Sequence, residues 1–317
     1  MNHSLSFVIP ALNEEESIEQ LHAEILDVCE KNGFEFEVVF VDDGSTDQTW
    51  EKISQLCQAH GATRAVRFRQ NFGKAAALRA GAIETRNDLV VTMDADLQDD
   101  PVEVPRLVEK LDEGFDVVSG WKKVRHDPLG KTLPSKVFNK LVSWVTGVKL
   151  QDHNCGFKVY RREVFDEVKL YGEMHRFVPV LAAARGFKIA QIAVNHRARQ
   201  FGVSKYGLSR LPKGFLDLLT VGFLTGFNNR PQHLLGYVGL IATAFGSLGV
   251  IWMAVYWLLR MMFFGDWEPV HRRPILLYSL GGLILGVQLL CMGFLAELIV
   301  AKNTETSIPY SITDRVE

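Results

Sequence analysis

Apolar residues in the first hundred positions fall into short runs separated by longer, helically periodic stretches. LSFVIPA (5–11), FEVVFV (36–41), ATRAVRF (62–68) and DLVVTM (88–93) read as strands, each bounded by turn residues. Between them, NEEESIEQLHAEILDVCEKNG (13–33), TWEKISQLCQAHG (49–61) and GKAAALRAGAIETR (73–86) carry the periodicity of helices. The first is expected to be capped by Asn13 and closed by Gly33. Strand–helix alternation at this spacing predicts right-handed crossovers, and hence an α/β fold around a mostly parallel sheet with helices on both faces. Further along come another strand, DVVSGW (116–121), a basic loop (122–136) expected to start a helix near Pro134 and Ser135, and the unusual DHNCGFKVYRREVF (152–165).

The C-terminal third changes character. Leu234–Leu259 and Ile275–Ala296 contain no charged residue, and each exceeds the roughly 20 residues that cross a hydrocarbon core. Soluble helices of that length show a polar face, so a two-helix transmembrane hairpin is expected. Leu208, Leu211, Phe215, Leu218 and Leu219 just ahead of it fit an interfacial amphipathic helix. The expected division is a catalytic domain over 1–205, a juxtamembrane region over 206–230, two spans within 231–300 (about 234–259 and 275–298) and a tail over 301–317. The N-terminus lacks the basic-then-apolar pattern of a signal peptide, and the flank before the first span holds Arg197, Arg199, Lys205, Arg210, Lys213 and Arg230. The positive-inside bias therefore expects a multi-pass protein of the inner membrane, with the first domain and the tail cytoplasmic. The span hairpin and the amphipathic helix also offer faces for a homo-oligomer.

Of the 317 residues, 35 are Lys or Arg and 37 are Asp or Glu, a formal net charge of -2 that argues against a nucleic-acid partner. The four cysteines lack metal-ligand spacing and read as reduced thiols.

In a parallel sheet, ligands bind beyond the carboxyl ends of the strands, where PALNEE (10–15), DDGSTD (42–47) and DADLQDD (94–100) converge. Asp94 and Asp96, two apart on extended chain, share a side and suit a hard divalent cation that also grips a diphosphate. An EF-hand is excluded, because Asp99 and Pro105 stand where it needs Gly and Glu. A phosphatase Asp-x-Asp belongs on the first strand, which carries PALNEE instead. Asp42 and Asp43 can accept hydrogen bonds from a nucleoside, although Gly44 and Ser45 equally favour an Asx turn. Asp99 and Asp100 are expected to start the helix beyond Pro101. The basic loop, with Lys122, Lys123, Arg125, Lys131 and Lys136, reads either as an ordinary solvated charge run or as an anion site where a lipid headgroup could meet it, the latter favoured by its place at the strand ends and by the membrane spans.

VIPALNEEESI, VFVDDGSTD, NFGKAAALRAG, MDADLQDDP, NCGFKVYRREV and FGVSKYG, in that order and ahead of two spans, resemble the polyprenyl-phosphate glycosyltransferases of glycosyltransferase family 2. That group includes dolichol-phosphate mannose synthases and undecaprenyl-phosphate glucosyl- and formamido-arabinose transferases. The resemblance implies a GT-A fold, a nucleotide-sugar donor, Mg²⁺ or Mn²⁺, and a polyprenyl phosphate acceptor. It places Pro10, Asn13, Glu14, Asp42, Asp43 and Lys74 on the donor, and Asp94, Asp96 and Gln98 on metal and diphosphate. It puts Arg125, Lys131, Ser135, Arg199, Ser204 and Lys205 on acceptor phosphate and donor diphosphate. Asp96, Arg199 and Asp152 are the implied catalytic set, Asp152 either orienting the acceptor, acting as a base or capping a turn. UDP-glucose is the expected donor, with GDP-mannose the alternative. Lack of the Gln-x-x-Arg-Trp motif argues against a processive polysaccharide synthase, and the full acidic set argues against an inactive scaffold.

Overall fold

The computed structural model describes residues 3–122, 129–168, 174–197, 218, 220–222, 231–263 and 268–304. It divides into two compact units, Met1–Thr225 and Gly226–Glu317. The first is built on strands β1 (Ser4–Ala11), β2 (Glu35–Asp42), β3 (Thr63–Arg67), β4 (Leu89–Thr92), β5 (Val117–Lys122), β6 (Lys158–Arg161) and β7 (Ile189–Val194). They form one sheet in the order β3-β2-β1-β4-β6-β5-β7. All pairings are parallel except those of β6, which runs antiparallel to both neighbours. The mostly parallel sheet is as expected.

Among the described residues, helices α1 (Ile18–Asn32), α2 (Thr49–Ala59), α3 (Lys74–Glu84), α4 (Val104–Asp112), α5 (Leu129–Thr146), α6 (Glu163–Glu167) and α7 (Val178–Ala184) accompany the sheet, and residues 218 and 220–222 are also helical. Side chains alternate across each strand, so one strand feeds two cores. Leu5, Phe7 and Ile9 pack with Ile18, Leu21 and Leu107, whereas Val8 points the other way, toward Leu78, Val178 and Ala182. Burial on both faces explains why the strands read as continuous apolar runs. α3 lies so close to the sheet that a Cβ on Gly81 would clash with Val8 Cγ1.

Two helix boundaries differ from expectation. α1 begins at Ile18, and Asn13 is no cap: its φ of 53° places it in the left-handed region, within a turn. Gly33 does close α1, at φ 67°, with its N–H on the last carbonyls. α5 starts at Leu129 rather than near Pro134, so Lys131 and Ser135 lie within a helix and no helix N-terminus forms at Pro134. Of the expected juxtamembrane helix, Leu218 and Val221 are described; both are buried against Val142, Phe177 and Val180 of this first unit. Leu208, Leu211, Phe215 and Leu219 lie outside the described residues. The four cysteines are free.

Two buried histidines give this unit a pH dependence. His22 sits 2.7 Å from Thr63 Oγ1, and burial, with His60 alongside, lowers its pKa to about 4. Burial, with Lys158 nearby, lowers His153 to about 4 as well. The unfolded chain takes up these protons near pH 6.5 while the fold refuses them until about 4. Stability therefore falls as pH drops through that window, by up to about 3 kcal/mol per histidine. Melting temperatures recorded from pH 7 to 4 should show the decline, and His22→Gln should reduce its slope. A flat profile would contradict the assignment.

The second unit pairs α8 (Pro231–Met262) with α9 (Pro274–Thr304). Leu235–Met262 and Pro274–Ile299 are long and apolar enough to cross a membrane, with mean hydropathy 2.0 and 2.1. Core helices would be mostly buried; here 17% and 11% of the most apolar windows are, so the apolar side chains face outward. The two helices touch through small residues. A Cβ on Gly239 would meet Gly286 O at 2.9 Å, and one on Gly246 would meet Ser279 O at 2.8 Å. Close backbone approach of this kind replaces hydrophobic driving force between helices in lipid.

Candidate active site

The carboxyl ends of β1, β2 and β4 lie side by side at the point where strand order reverses, and three polar loops leave from there. The first two are laced together. Asn13 N–H donates to Ser45 Oγ (2.9 Å), and Asn13 Oδ1 accepts from Thr46 N–H (2.9 Å). Glu14 N–H donates to Thr49 Oγ1 (2.8 Å), and Glu15 Oε2 accepts from Gln48 N–H (2.9 Å). Asp42 is fully buried, accepting from Ser45 N–H (2.9 Å) and paired with Arg67 Nε at 3.1 Å. Asp43 accepts from Phe72 N–H (2.7 Å) and Gly73 N–H (3.0 Å), so it fixes the entry into α3. Burial, reinforced by Asp42, raises its pKa against those two bonds. The pair read as nucleoside ligands thus also builds the wall of the site, and Pro10 is the penultimate residue of β1 beneath it.

The third loop answers a charge problem. Asp94, Asp96, Asp99 and Asp100 crowd seven positions, and lysines supply the counter-charge. Lys74, the first residue of α3, binds Asp94 Oδ1 directly. Lys122, at the end of β5, lies 3.1 Å from Asp99 Oδ1. Burial alone would raise Asp94, but Lys74 and Lys122 outweigh it and hold the carboxyl well below its usual range. Burial likewise opposes the charge on Lys122, and Asp99, Cys155 and Asp94 more than reverse this. Asp99 therefore does not start the following helix as expected. It is buried inward on Lys122, while Asp100 alone caps the next turn through Val102 N–H (3.2 Å).

Asp96 Oδ1 accepts from Gln98 N–H (3.2 Å) across Leu97, whose φ is 60°. The segment after β7 bolts this loop down. Gln98 O accepts from Arg197 N–H (2.9 Å), and Arg197 bridges Glu24 (2.6 Å) and Asp100 (2.7 Å). Because β6 runs backwards, the loop preceding it enters the site. Asp152 is buried and accepts from Asn154 N–H (3.0 Å), the geometry of a capped turn. Lys158 is buried and donates to Cys155 O. His175 is half-buried nearby; desolvation, aided by Lys74, drives its pKa to about 2 and keeps it neutral.

Gly156 abuts Asp94: a Cβ there would sit 2.8 Å from Asp94 Oδ1. Gly156→Ala must displace the carboxylate, and misplacement of about 1 Å costs on the order of a hundredfold in rate. Activity assays should show that loss; a near-normal rate would mean that the position of Asp94 is unimportant.

Arg125, Arg199, Ser204 and Lys205 lie outside the described residues, as do the side chains of Lys131 and Ser135. Lys158 and His175 escaped the sequence reading. A lysine inside the apolar run CGFKVY was the available signal for the first; nothing local marks His175. Among the described residues, no three His, Cys, Asp or Glu side chains converge as a metal cage. Asp94 and Asp96 are not two apart on extended chain as expected, because β4 ends at Thr92 and Ala95 and Asp96 lie in a turn; two carboxylates on such a loop would suit an ion that shares its shell with substrate phosphates, as Mg²⁺ does.

Residues 6–169 match the family described as glycosyl transferase family 2. The chain belongs to glycosyltransferase family 2. This glycosyltransferase is 39% identical over 300 residues to a dodecaprenyl-phosphate galacturonate synthase of Rhizobium johnstonii, covering 93% of this chain and 87% of that one. It is 34% identical over 298 residues to an undecaprenyl-phosphate 4-deoxy-4-formamido-L-arabinose transferase of Enterobacter sp., covering 94% and 88%. A solved structure of glucosyl-3-phosphoglycerate synthase from Mycobacterium tuberculosis, in complex with Mn²⁺, uridine diphosphate and phosphoglyceric acid, shares the fold. Its TM-score is 0.55 at 23% identity, over 70% of this chain and 78% of that one. The glycosyltransferase has the GT-A architecture, followed by two membrane-length helices.

Proposed function

We propose that this glycosyltransferase moves a sugar from a uridine diphosphate donor to the phosphate of a membrane polyprenol, with inversion at the anomeric carbon. The observation that carries this reading is the likeness over nine-tenths of the chain to two enzymes named for polyprenyl-phosphate acceptors. The carboxylate–lysine site beyond β4 and the apolar helix pair fit the two substrates.

Pro10, Asn13, Glu14, Asp42 and Asp43 frame the nucleoside end, and Lys74 meets the diphosphate from the first turn of α3. Asp94, Asp96 and Gln98 would hold Mg²⁺ or Mn²⁺, which would neutralise charge on the departing diphosphate. An acceptor phosphate oxygen attacks the anomeric carbon while the bond from that carbon to the diphosphate oxygen breaks. The phosphate is already ionised, so no strong base is required; Asp152, held in its turn, orients rather than deprotonates. Arg125, Lys131, Ser135, Arg199, Ser204 and Lys205 are assigned to the phosphates by motif alone. The catalytic unit faces the cytoplasm from the inner membrane, where basic residues flank the first span.

The 39% relative favours UDP-galacturonate over the UDP-glucose expected from sequence. Membranes containing the protein should transfer radiolabel to undecaprenyl phosphate from one member of a panel of UDP-galacturonate, UDP-glucose and GDP-mannose, and EDTA should abolish it. No labelled lipid from any of a wider set of nucleotide sugars would overturn the proposal.

A further inference from the structure

We propose that Gln191 and Asn139 are positioning residues for the transfer, two amide side chains that grip the backbone of the Asp152 turn and so fix where its carboxylate stands. The inference rests on the proposed function and deepens the role of Asp152 in it. A turn ordinarily closes on its own backbone. This one hangs on side chains from two other elements. Gln191, on edge strand β7, accepts at Oε1 from Gln151 N–H (2.7 Å) across 40 positions, and its Nε2 donates to Asp152 O (3.3 Å). Asn139, on α5, donates from Nδ2 to Gln151 O (3.0 Å) and accepts at Oδ1 from His153 N–H (3.4 Å). Each amide thus spends a donor and an acceptor on three consecutive residues. One turn along α5 from Asn139, Ser143 Oγ donates to Leu150 O (3.4 Å) and lies 3.1 Å from His153 Nε2.

Folding alone does not ask for this grip. The bond between Gln191 and Gln151 lies at the surface, where water could serve instead, and holding a glutamine still costs rotamer entropy. What the bonds add is a fixed location for the residue between them. Asp152 is 1% exposed, and its Oδ1 already accepts from Asn154 N–H (3.0 Å). With the backbone held on both sides, the carboxylate keeps little freedom. Reaction rates feel displacements on this scale, about a hundredfold for about 1 Å. Asn139 also ties the turn to α5, the helix whose Lys131 and Ser135 are assigned to the phosphates by motif. A displacement of α5 is therefore passed to Asp152.

The test is a cycle between Gln191→Met and Asp152→Ala in the full chain, assayed in membranes. Methionine keeps the length of the glutamine side chain and removes both hydrogen bonds. Gln191→Met alone should lower kcat about tenfold and leave KM for the nucleotide sugar unchanged. In the Asp152→Ala background it should lower kcat no further. Asn139→Ala, which releases the turn from its other side, should couple to Asp152→Ala in the same way. A normal kcat in Gln191→Met overturns the proposal. So does an equal loss in both backgrounds, because Gln191 would then act on something other than Asp152. A normal kcat in Asp152→Ala removes the role of that residue and the inference with it. Amide hydrogen exchange reads the grip without any substrate: residues 150–154 should exchange faster in Gln191→Met, while β1 and β2 keep their protection. Unchanged exchange there overturns the inference whatever the reaction is. Absence of labelled lipid from every nucleotide sugar would instead count against the proposed function.

Discussion

Asp96→Ala should lower sugar transfer by about a thousandfold while the catalytic unit stays folded. A bound divalent ion contributes several kcal/mol of charge stabilisation at a departing diphosphate, and each 1.4 kcal/mol is about tenfold in rate. Asp96 lies beyond the end of β4, where its Oδ1 accepts from Gln98 N–H within a turn, so no strand pairing includes it. Initial rates across a Mn²⁺ titration check this, with uridine diphosphate binding followed by thermal shift in parallel. Full activity in the variant would end the metal assignment. Asp94→Asn should behave differently, because it also strips the counter-charge from Lys74, so its loss of rate should come with a lower melting temperature.

Lys122→Met should be the most destabilising single change in the site. It leaves Asp99, which is 1% exposed, as a buried carboxylate without its lysine. Breaking one side of such a pair costs about 3–5 kcal/mol, whereas replacing both partners is often nearly neutral. The double variant Lys122→Met, Asp99→Asn should therefore recover much of the lost stability without recovering activity. Melting temperatures of the two singles and the double form the cycle that measures the coupling. Additive losses would mean that the two groups do not depend on each other.

The strand–helix alternation of residues 5–122 was legible because each element there follows its own period and is bounded by its own turn. The three acidic and amide loops were legible for the same reason, since they follow directly from strand ends. What escaped was everything decided by a distant partner. Asp99 sits one residue before an acid that does cap a turn, and only the end of β5 makes it a buried ion-pair partner. Asn13 has the side chain of a cap but spends it on the neighbouring loop, across 33 positions. β6 has four residues, too few for a period, and its insertion between β4 and β5 is a property of topology. Lys158 could be noticed as a charge in an apolar run, but its position beside Cys155 and His175 could not.

The reversed direction of β6 has a consequence for how such an enzyme diversifies. The excursion from the end of β5 to the start of β6, residues 123–157, leaves from the site and returns to it, with Lys122 and Lys158 as its two posts. Extra length in a loop costs little once both ends are held, about 0.6 kcal/mol per doubling. Away from Asn139, Val142, Asp152 and Gly156, residues can thus be gained, lost or exchanged along this excursion without shifting the register of any strand or disturbing the laced loops of β1 and β2. On the proposed reading, the half of the site that would grip the nucleotide is built to stay constant, and the half that would meet the acceptor is built to drift.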